Sequence, residues 1–147
     1  MSNRGKIMAI CTSVEKGTPK RNLHQANLIK NYGVEGDAHA SFDTHKQVSV
    51  LSFEKITDFK AKVANVKDGA FGENMIIQGI DFTDYPIGTN FRSGDVILEI
   101  TQIGEECPDH CMIYESLGES IMPKEGVYCK VIMGGIITEG DMIDAED

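Results

Sequence analysis

A ten-residue plan that occurs twice constrains the fold of this chain more than any other feature. Residues 88–97 read Gly-Thr-Asn-Phe-Arg-Ser-Gly-Asp-Val-Ile, and residues 134–143 read Gly-Gly-Ile-Ile-Thr-Glu-Gly-Asp-Met-Ile. Both fit Gly-x-x-apolar-x-x-Gly-Asp-apolar-Ile, which predicts a short strand, a Gly-Asp turn and a second strand. Two such units in a chain with 15 glycines favour a closed β-barrel of short strands and hairpins.

Apolar and alternating runs predict the remaining elements. Strands are predicted at residues 6–14, 47–52, 74–78, 96–103 and 127–133. The best helix candidate is residues 53–66, where Phe53, Ile56, Phe59 and Val63 form one apolar stripe and Ser52 can cap the first turn. Residues 22–32 are predicted as a short helix or a loop, and residues 112–117 as one or two helical turns. The fold class is therefore mostly β with one or two helices.

Length and charge exclude several classes of protein. The 147 residues fit a single domain over residues 1–147, and no apolar run is long enough to span a bilayer. The first residues lack the apolar core of a secretory signal, so we expect a cytoplasmic protein with reduced thiols. A net charge of −9 argues against nucleic acid or an anionic membrane as a partner.

The segment at residues 104–111, Gly-Glu-Glu-Cys-Pro-Asp-His-Cys, concentrates reactive groups directly after a predicted strand. A thiolate at Cys107 or Cys111 would suit sulfur-carrying chemistry, and His110 would favour it. Glu105 and Glu106 oppose it, because adjacent negative charge raises the pKa of a thiol.

A structural zinc site is the alternative interpretation of this segment. Zinc needs four ligands, and the segment offers at most three, so Cys129 or His39 would have to supply the fourth. Cys11 and Cys129 lie within predicted strands, and we expect both to pack in the core.

Two loops carry further polar candidates. Glycines in the run at residues 33–39 permit a tight backbone, after which His39, His45 and Lys46 could donate to an oxyanion. The alternative is a polar loop that leads into the next strand. Asn74 follows a Gly-Glu bend and could offer its amide to a heterocycle, or simply bond to nearby backbone.

Taken in order, these segments resemble the MOSC domain, named for the C-terminal domain of molybdenum cofactor sulfurase. The resemblance spans residues 5 to 144. It rests on the runs at residues 36–39, 47–51, 69–74 and 88–95, on the Cys107 region, and on the stretch from residues 123–126 to 140–141. It implies a closed β-barrel and a site for the molybdenum cofactor (molybdopterin), a pterin dithiolene phosphate that holds molybdenum.

The resemblance also implies roles for individual residues. Cys107 matches the cysteine that carries sulfur as a persulfide or approaches the metal. Residues implied to contact the cofactor are His39, Lys46, Gln47, Asn74 and Cys111. The sequence departs from the family at two places. Glu105 and Glu106 stand where many members have an arginine. Lys46 also stands where arginine is common, and a lysine cannot make the bidentate hydrogen bonds to phosphate that an arginine makes.

The resulting prediction is a stand-alone protein that binds the molybdenum cofactor and carries or transfers sulfur through a persulfide. A cysteine desulfurase would supply the sulfur, because the chain contains no desulfurase domain, and a molybdoenzyme or a cofactor-biosynthesis protein would receive it. Three alternatives stay open: a non-catalytic cofactor-binding or insertion module, a cofactor-dependent reductase of N-hydroxylated compounds, and a zinc-bound structural barrel. Whether the protein is an enzyme is also open.

Overall fold

The computed structural model describes residues 4–12, 21–37, 40–62, 73–104 and 126–146. These ranges contain one α-helix, one short 3-10 turn at Phe82–Asp84, and strands that we number in chain order. The elements are β1 (Arg4–Thr12), β2 (Arg21–Asn22), β3 (Gln25–Ile29), β4 (Gly33–Val34), β5 (Val48–Ser52), α1 (Phe53–Lys62), β6 (Met75–Gln78), β7 (Asn90–Ser93), β8 (Val96–Ile103), β9 (Val127–Met133), β10 (Gly135–Thr138) and β11 (Met142–Glu146).

Seven strands close into a barrel, which confirms the predicted fold class. Their order is β11-β7-β8-β9-β5-β6-β1, and β1 pairs back with β11 through Gly5 opposite Ile143. Strands β5 and β6 run parallel and are linked through α1, as a parallel pair requires a crossover connection. The short strand β2 extends β1, and β10-β3-β4 form a separate three-stranded sheet.

Alternation along the strands builds the barrel interior. On β8, Val96, Leu98 and Ile100 are buried, while the residues between them are partly exposed. On β9 the buried set is Val127, Cys129 and Val131, and the cluster they join includes Phe91. The prediction that Cys129 packs in the core is therefore confirmed.

Helix α1 covers the outside of the barrel wall. It contacts β5 and β6, and its Ile56 is buried together with Leu51 and Ile76, which lie opposite each other on those strands. Ser52 caps the helix by accepting a hydrogen bond from the Lys55 amide at 3.4 Å, as predicted. Cys11 is also fully buried, outside the main barrel cluster. No helix in the described ranges is both long enough and apolar enough to cross a membrane.

The two repeated units form different structures from the same local plan. Both contain a turn with a left-handed glycine, Gly94 at φ +60° and Gly140 at φ +99°. Strands β7 and β8 then pair as a hairpin, as predicted. Strands β10 and β11 do not pair with each other, because β10 pairs with β3 while β11 joins β1 and β7. The expectation of a second hairpin is therefore wrong.

The prediction of a helix or loop over residues 22–32 is also wrong for much of its length. Strand β3 occupies Gln25–Ile29, and its buried residues Ala26 and Leu28 alternate with exposed ones. Strand β3 pairs with β10, which lies far along the chain, and with the nearby β4, so its structure does not depend on its own weakly apolar pattern. Helix α1 confirms the predicted start at Phe53 and is described to Lys62; residues 63–66 and the predicted turns at 112–117 lie outside the described residues.

Candidate functional site

Gln47 fixes the loop that precedes β5, which we call loop 40–47. Its side chain is 1% exposed. The Nε2 group donates to the carbonyls of Ser41 and Thr44 at 3.3 and 3.0 Å and to Asn31 Oδ1 at 3.2 Å. The Oε1 atom accepts from the Val131 amide on β9 at 3.1 Å. One amide group therefore ties both ends of the loop to the barrel wall.

Strand β4 packs tightly against the same point. Gly33 has φ +134°, and a Cβ placed there would lie 2.6 Å from the Gln47 carbonyl oxygen. Any larger residue would therefore push β4 away from loop 40–47.

A row of polar residues crosses four strands of the barrel wall beside this loop. The residues opposite one another are Gln102 on β8, Tyr128 on β9 and Ser49 on β5, and Asn74 continues the row at the start of β6. We call these four residues the polar row. Tyr128 alternates with the inward residues of β9, so the row lies on the outer face of the wall.

Asn74 holds three strands together at one end of the polar row. Its Oδ1 atom accepts from the amide and the hydroxyl of Ser49 at 2.9 and 3.2 Å, and its Nδ2 group donates to the Cys11 carbonyl at 2.9 Å. The Cys11 amide donates back to the Asn74 carbonyl at 2.6 Å. Asn74 is 2% exposed, and its side chain links β1 and β5 to the start of β6. Its contact with a cofactor stays a prediction.

A histidine and a lysine lie over the other end of the row. The His45 imidazole is exposed and its Nε2 atom is 2.8 Å from Gln102 Oε1. The Lys46 Nζ atom lies 5.3 Å from the centroid of the Tyr128 ring, within range of a cation–π contact. The Thr101 hydroxyl is 2.9 Å from the His45 carbonyl, which fixes the loop backbone on β8.

The predicted cysteine segment leaves and re-enters the barrel beside the row. The Gly104 amide donates to the Gly126 carbonyl at 2.7 Å, and Gln102 Nε2 donates to the Gly104 carbonyl at 2.8 Å. These bonds close the stem of the connection between β8 and β9. Cys107, Cys111, His110 and His39 lie outside the described residues, so their predicted roles stay predictions.

Two of the four thiols are buried. Cys11 and Cys129 are fully buried. Burial raises the pKa of the Cys129 thiol, and nearby Glu99 raises it further, so this thiol stays protonated and unreactive. Cys129 faces the barrel interior and cannot supply the fourth zinc ligand that the alternative interpretation needed. Among the described residues no group of three or more potential ligands could hold a metal ion.

The structure brings some predicted residues together and adds others. Lys46 and Gln47 lie beside the polar row, and Asn74 belongs to it. Sequence reasoning missed Ser49 and Gln102 because strand register, a long-range property, brings them to the row. The alternation of β9 could have indicated that Tyr128 faces outwards.

A sequence profile of the MOSC domain matches residues 36–144, which is more than half of the chain. The chain belongs to the MOSC domain family. This family is associated with the molybdenum cofactor and with sulfurases. The resemblance found in the sequence is therefore confirmed at the level of the family.

Relatives and solved structures agree with this assignment. The uncharacterized protein YflK of Bacillus subtilis (strain 168) is 26% identical over 99 residues, which cover 64% of this chain and 45% of YflK. The match thus spans less than half the length of that relative. YuaD from Bacillus subtilis superposes with a TM-score of 0.77 at 16% identity, covering 97% of this chain and 95% of YuaD. YiiM from Escherichia coli has a TM-score of 0.72 at 17% identity, covering 98% of this chain and 70% of YiiM. These two likenesses show a shared fold.

Proposed function

We propose that this MOSC protein binds the molybdenum cofactor beside the polar row and carries sulfur on Cys107. The observation that carries the proposal is the position of loop 40–47. Its His45 imidazole and its Lys46 ammonium group lie over the row, next to the stem from which the Cys107 segment leaves the barrel.

The chemistry of the described side chains fits the organic part of the cofactor. Lys46 offers an ammonium group with N–H donors only, which suits a phosphate oxygen, and charge-assisted hydrogen bonds are about twice as strong as neutral ones. His45 and Gln102, whose side chains contact each other, present further polar atoms to the edge of a pterin ring. When bound, the cofactor would supply a molybdenum centre held by a dithiolene. The protein would orient it through these side chains.

Chain connectivity and burial favour Cys107 as the working thiol. It is three positions after Gly104, so chain connectivity keeps its Cα within about 11 Å of the stem. Cys11 and Cys129 are buried, which leaves Cys107 and Cys111 as candidates. Resemblance to the family favours the first.

The sulfur-loading step that we propose is a thiol exchange. The Cys107 thiolate attacks the terminal sulfur of a persulfide on a cysteine desulfurase. A new S–S bond forms on Cys107 as the donor's S–S bond breaks, and the donor cysteine leaves as a thiolate. No external oxidant or reductant is consumed. A molybdoenzyme or a cofactor-biosynthesis protein in the reducing cytoplasm would be the acceptor.

A second candidate function is a cofactor-binding module without sulfur chemistry. Glu105 and Glu106 precede Cys107 directly, and adjacent negative charge disfavours the thiolate that sulfur transfer would need. Binding through the His45 and Lys46 side chains of loop 40–47 would not depend on a thiol. In this case the Cys107→Ser variant would retain the cofactor and would still support the acceptor enzyme.

Anaerobic reconstitution tests the proposal. The protein is incubated with cofactor released from a molybdoenzyme and desalted, and the retained molybdenum and pterin are measured. We expect retention by the wild type and loss in Lys46→Met. The matched control is Lys6→Met, an exposed lysine near the opposite end of β1 from Cys11. Retention no greater than that of an unrelated protein would refute cofactor binding.

A further inference from the structure

Two aromatic side chains, one of them largely exposed, contact each other on the loops around the candidate site. The rings of Tyr32 and Phe42 have centroids 4.7 Å apart with an interplanar angle of 44°. Phe42 is 63% exposed, whereas Tyr32 is half-buried. Tyr32 therefore supports one side of a phenyl ring that remains largely open to solvent.

The backbone holds this pair in place before any ligand arrives. The Ser41 amide donates to the Tyr32 carbonyl at 3.0 Å, and the Asp43 amide donates to the Ser41 hydroxyl at 3.0 Å. The Ser41 carbonyl in turn accepts from the buried Gln47 amide. Phe42 thus sits between two tethered residues, and a ligand that stacks on it would meet a preorganised surface.

The same loop carries an imidazole and an ammonium group a few residues away. His45 is three positions after Phe42, so chain connectivity keeps their Cα atoms within about 11 Å. Lys46 follows directly. An aromatic face, an imidazole and a lysine on one tethered loop match a planar heterocycle that bears an anionic group. An apolar partner would use the ring but would not need the lysine.

We propose that Phe42, supported by Tyr32, is the stacking platform for the pterin ring of the cofactor. This inference rests on the proposed function and specifies which part of the ligand the loop recognises. Stacking of a heterocyclic base on an aromatic side chain is typically worth enough that its removal to alanine weakens binding by about 5- to 150-fold.

The test uses pterin-6-carboxylate, a planar anionic pterin that contains neither metal nor dithiolene. Binding is measured by fluorescence titration up to millimolar protein. We expect Phe42→Ala to weaken binding at least about fivefold, and Phe42→Trp to restore it. The control is Ile136→Ala, because Ile136 is 65% exposed on the separate sheet strand β10 and should bind as the wild type does.

Three results would overturn the platform. They are wild-type affinity in Phe42→Ala, an equal loss in Ile136→Ala, or no binding of the probe by the folded wild type. Because Phe42 is exposed, its variants should melt within a few degrees of the wild type, which separates a binding defect from unfolding.

The probe also separates this inference from the proposed function. Cys107→Ser should bind pterin-6-carboxylate as the wild type does, because the probe offers nothing for a thiol to contact. Probe binding without retention of the complete cofactor would support the platform and refute the proposed function. If Phe42→Ala retains as much complete cofactor as the wild type does, the proposed function is supported and the platform is refuted.

Discussion

Replacement of Gln47 by leucine should destabilise the barrel at loop 40–47. The change keeps a buried, similarly sized side chain but removes every hydrogen bond that the amide makes. The Val131 amide loses its partner inside the wall. The carbonyls of Ser41 and Thr44 each lose a hydrogen bond from Gln47, but these residues are partly exposed and water can partly replace that bond.

The magnitude follows from the burial of these groups. A buried donor left without a partner costs about 1 to 3 kcal/mol, and the half-exposed carbonyls add less because water can reach them. We therefore expect a loss of about 2 to 4 kcal/mol in the free energy of unfolding. For a protein of this size, each kcal/mol corresponds to a decrease of about 2 to 4 °C in Tm.

Urea unfolding and hydrogen exchange measure this loss. The Val131 amide should exchange faster in Gln47→Leu than in the wild type. The matched control is Gln25→Leu, because Gln25 is exposed and its side chain makes one contact, 3.2 Å to the Thr138 hydroxyl. That control should stay within about 0.5 kcal/mol of the wild type. A Gln47→Leu variant as stable as the control would refute the assignment of Gln47 as the anchor of the loop.

Three further predictions concern Asn74, the two buried thiols and the ion pair between Lys55 and Asp81. Asn74→Ala should lower the free energy of unfolding by about 2 to 3 kcal/mol in urea, because it removes the bonds to Ser49 and the Cys11 carbonyl. Native alkylation followed by mass spectrometry should leave Cys11 and Cys129 unmodified until the protein is unfolded. Burial alone would raise the pKa of Asp81, but hydrogen bonds from Lys55 and Thr83 outweigh it and lower that pKa. Asp81→Asn should therefore cost about 0.5 to 1 kcal/mol at pH 7, and the difference from the wild type should vanish as the pH falls below about 4.

Each of these predictions has a contradicting result. Wild-type stability of Asn74→Ala would mean that Ser49 and Cys11 find other partners. Rapid native alkylation of Cys129 would contradict its position in the barrel interior. A stability difference between Asp81→Asn and the wild type that persists unchanged at pH 3 would show that the Asp81 charge is not responsible, since the carboxylate's contribution is present above its unfolded pKa and lost as it protonates.

Local patterns predicted the strands whose own residues determine their structure. Strands β8 and β9 have the predicted bounds, because apolar residues that recur at every second position identify a half-buried strand. Strand β3 carries Gln25 and Asn27 on its exposed face, and its alternation was too weakly apolar to indicate a strand. Its main partner strand is β10, which lies far along the chain, and a local pattern contains no information about that strand.

The sequence likewise predicted only part of the candidate site. The loop patterns and the family resemblance together selected Lys46, Gln47 and Asn74; the first two lie beside the polar row, and Asn74 belongs to it. The sequence could not distinguish a residue that contacts a ligand from one that anchors a loop, because that distinction depends on which backbone groups lie opposite each amide. Tyr128 joins the row through strand register, which is determined only when the barrel closes.

Sulfur loading tests the central claim most directly. Anaerobically purified protein is incubated with a cysteine desulfurase and cysteine, and its intact mass is measured before and after treatment with a reductant. We predict the addition of one sulfur atom that reductant removes, and no addition in Cys107→Ser, while Cys111→Ser is loaded as the wild type is. Absence of sulfur from the wild type, or equal loading of Cys107→Ser, would contradict the assignment of Cys107 as the sulfur carrier.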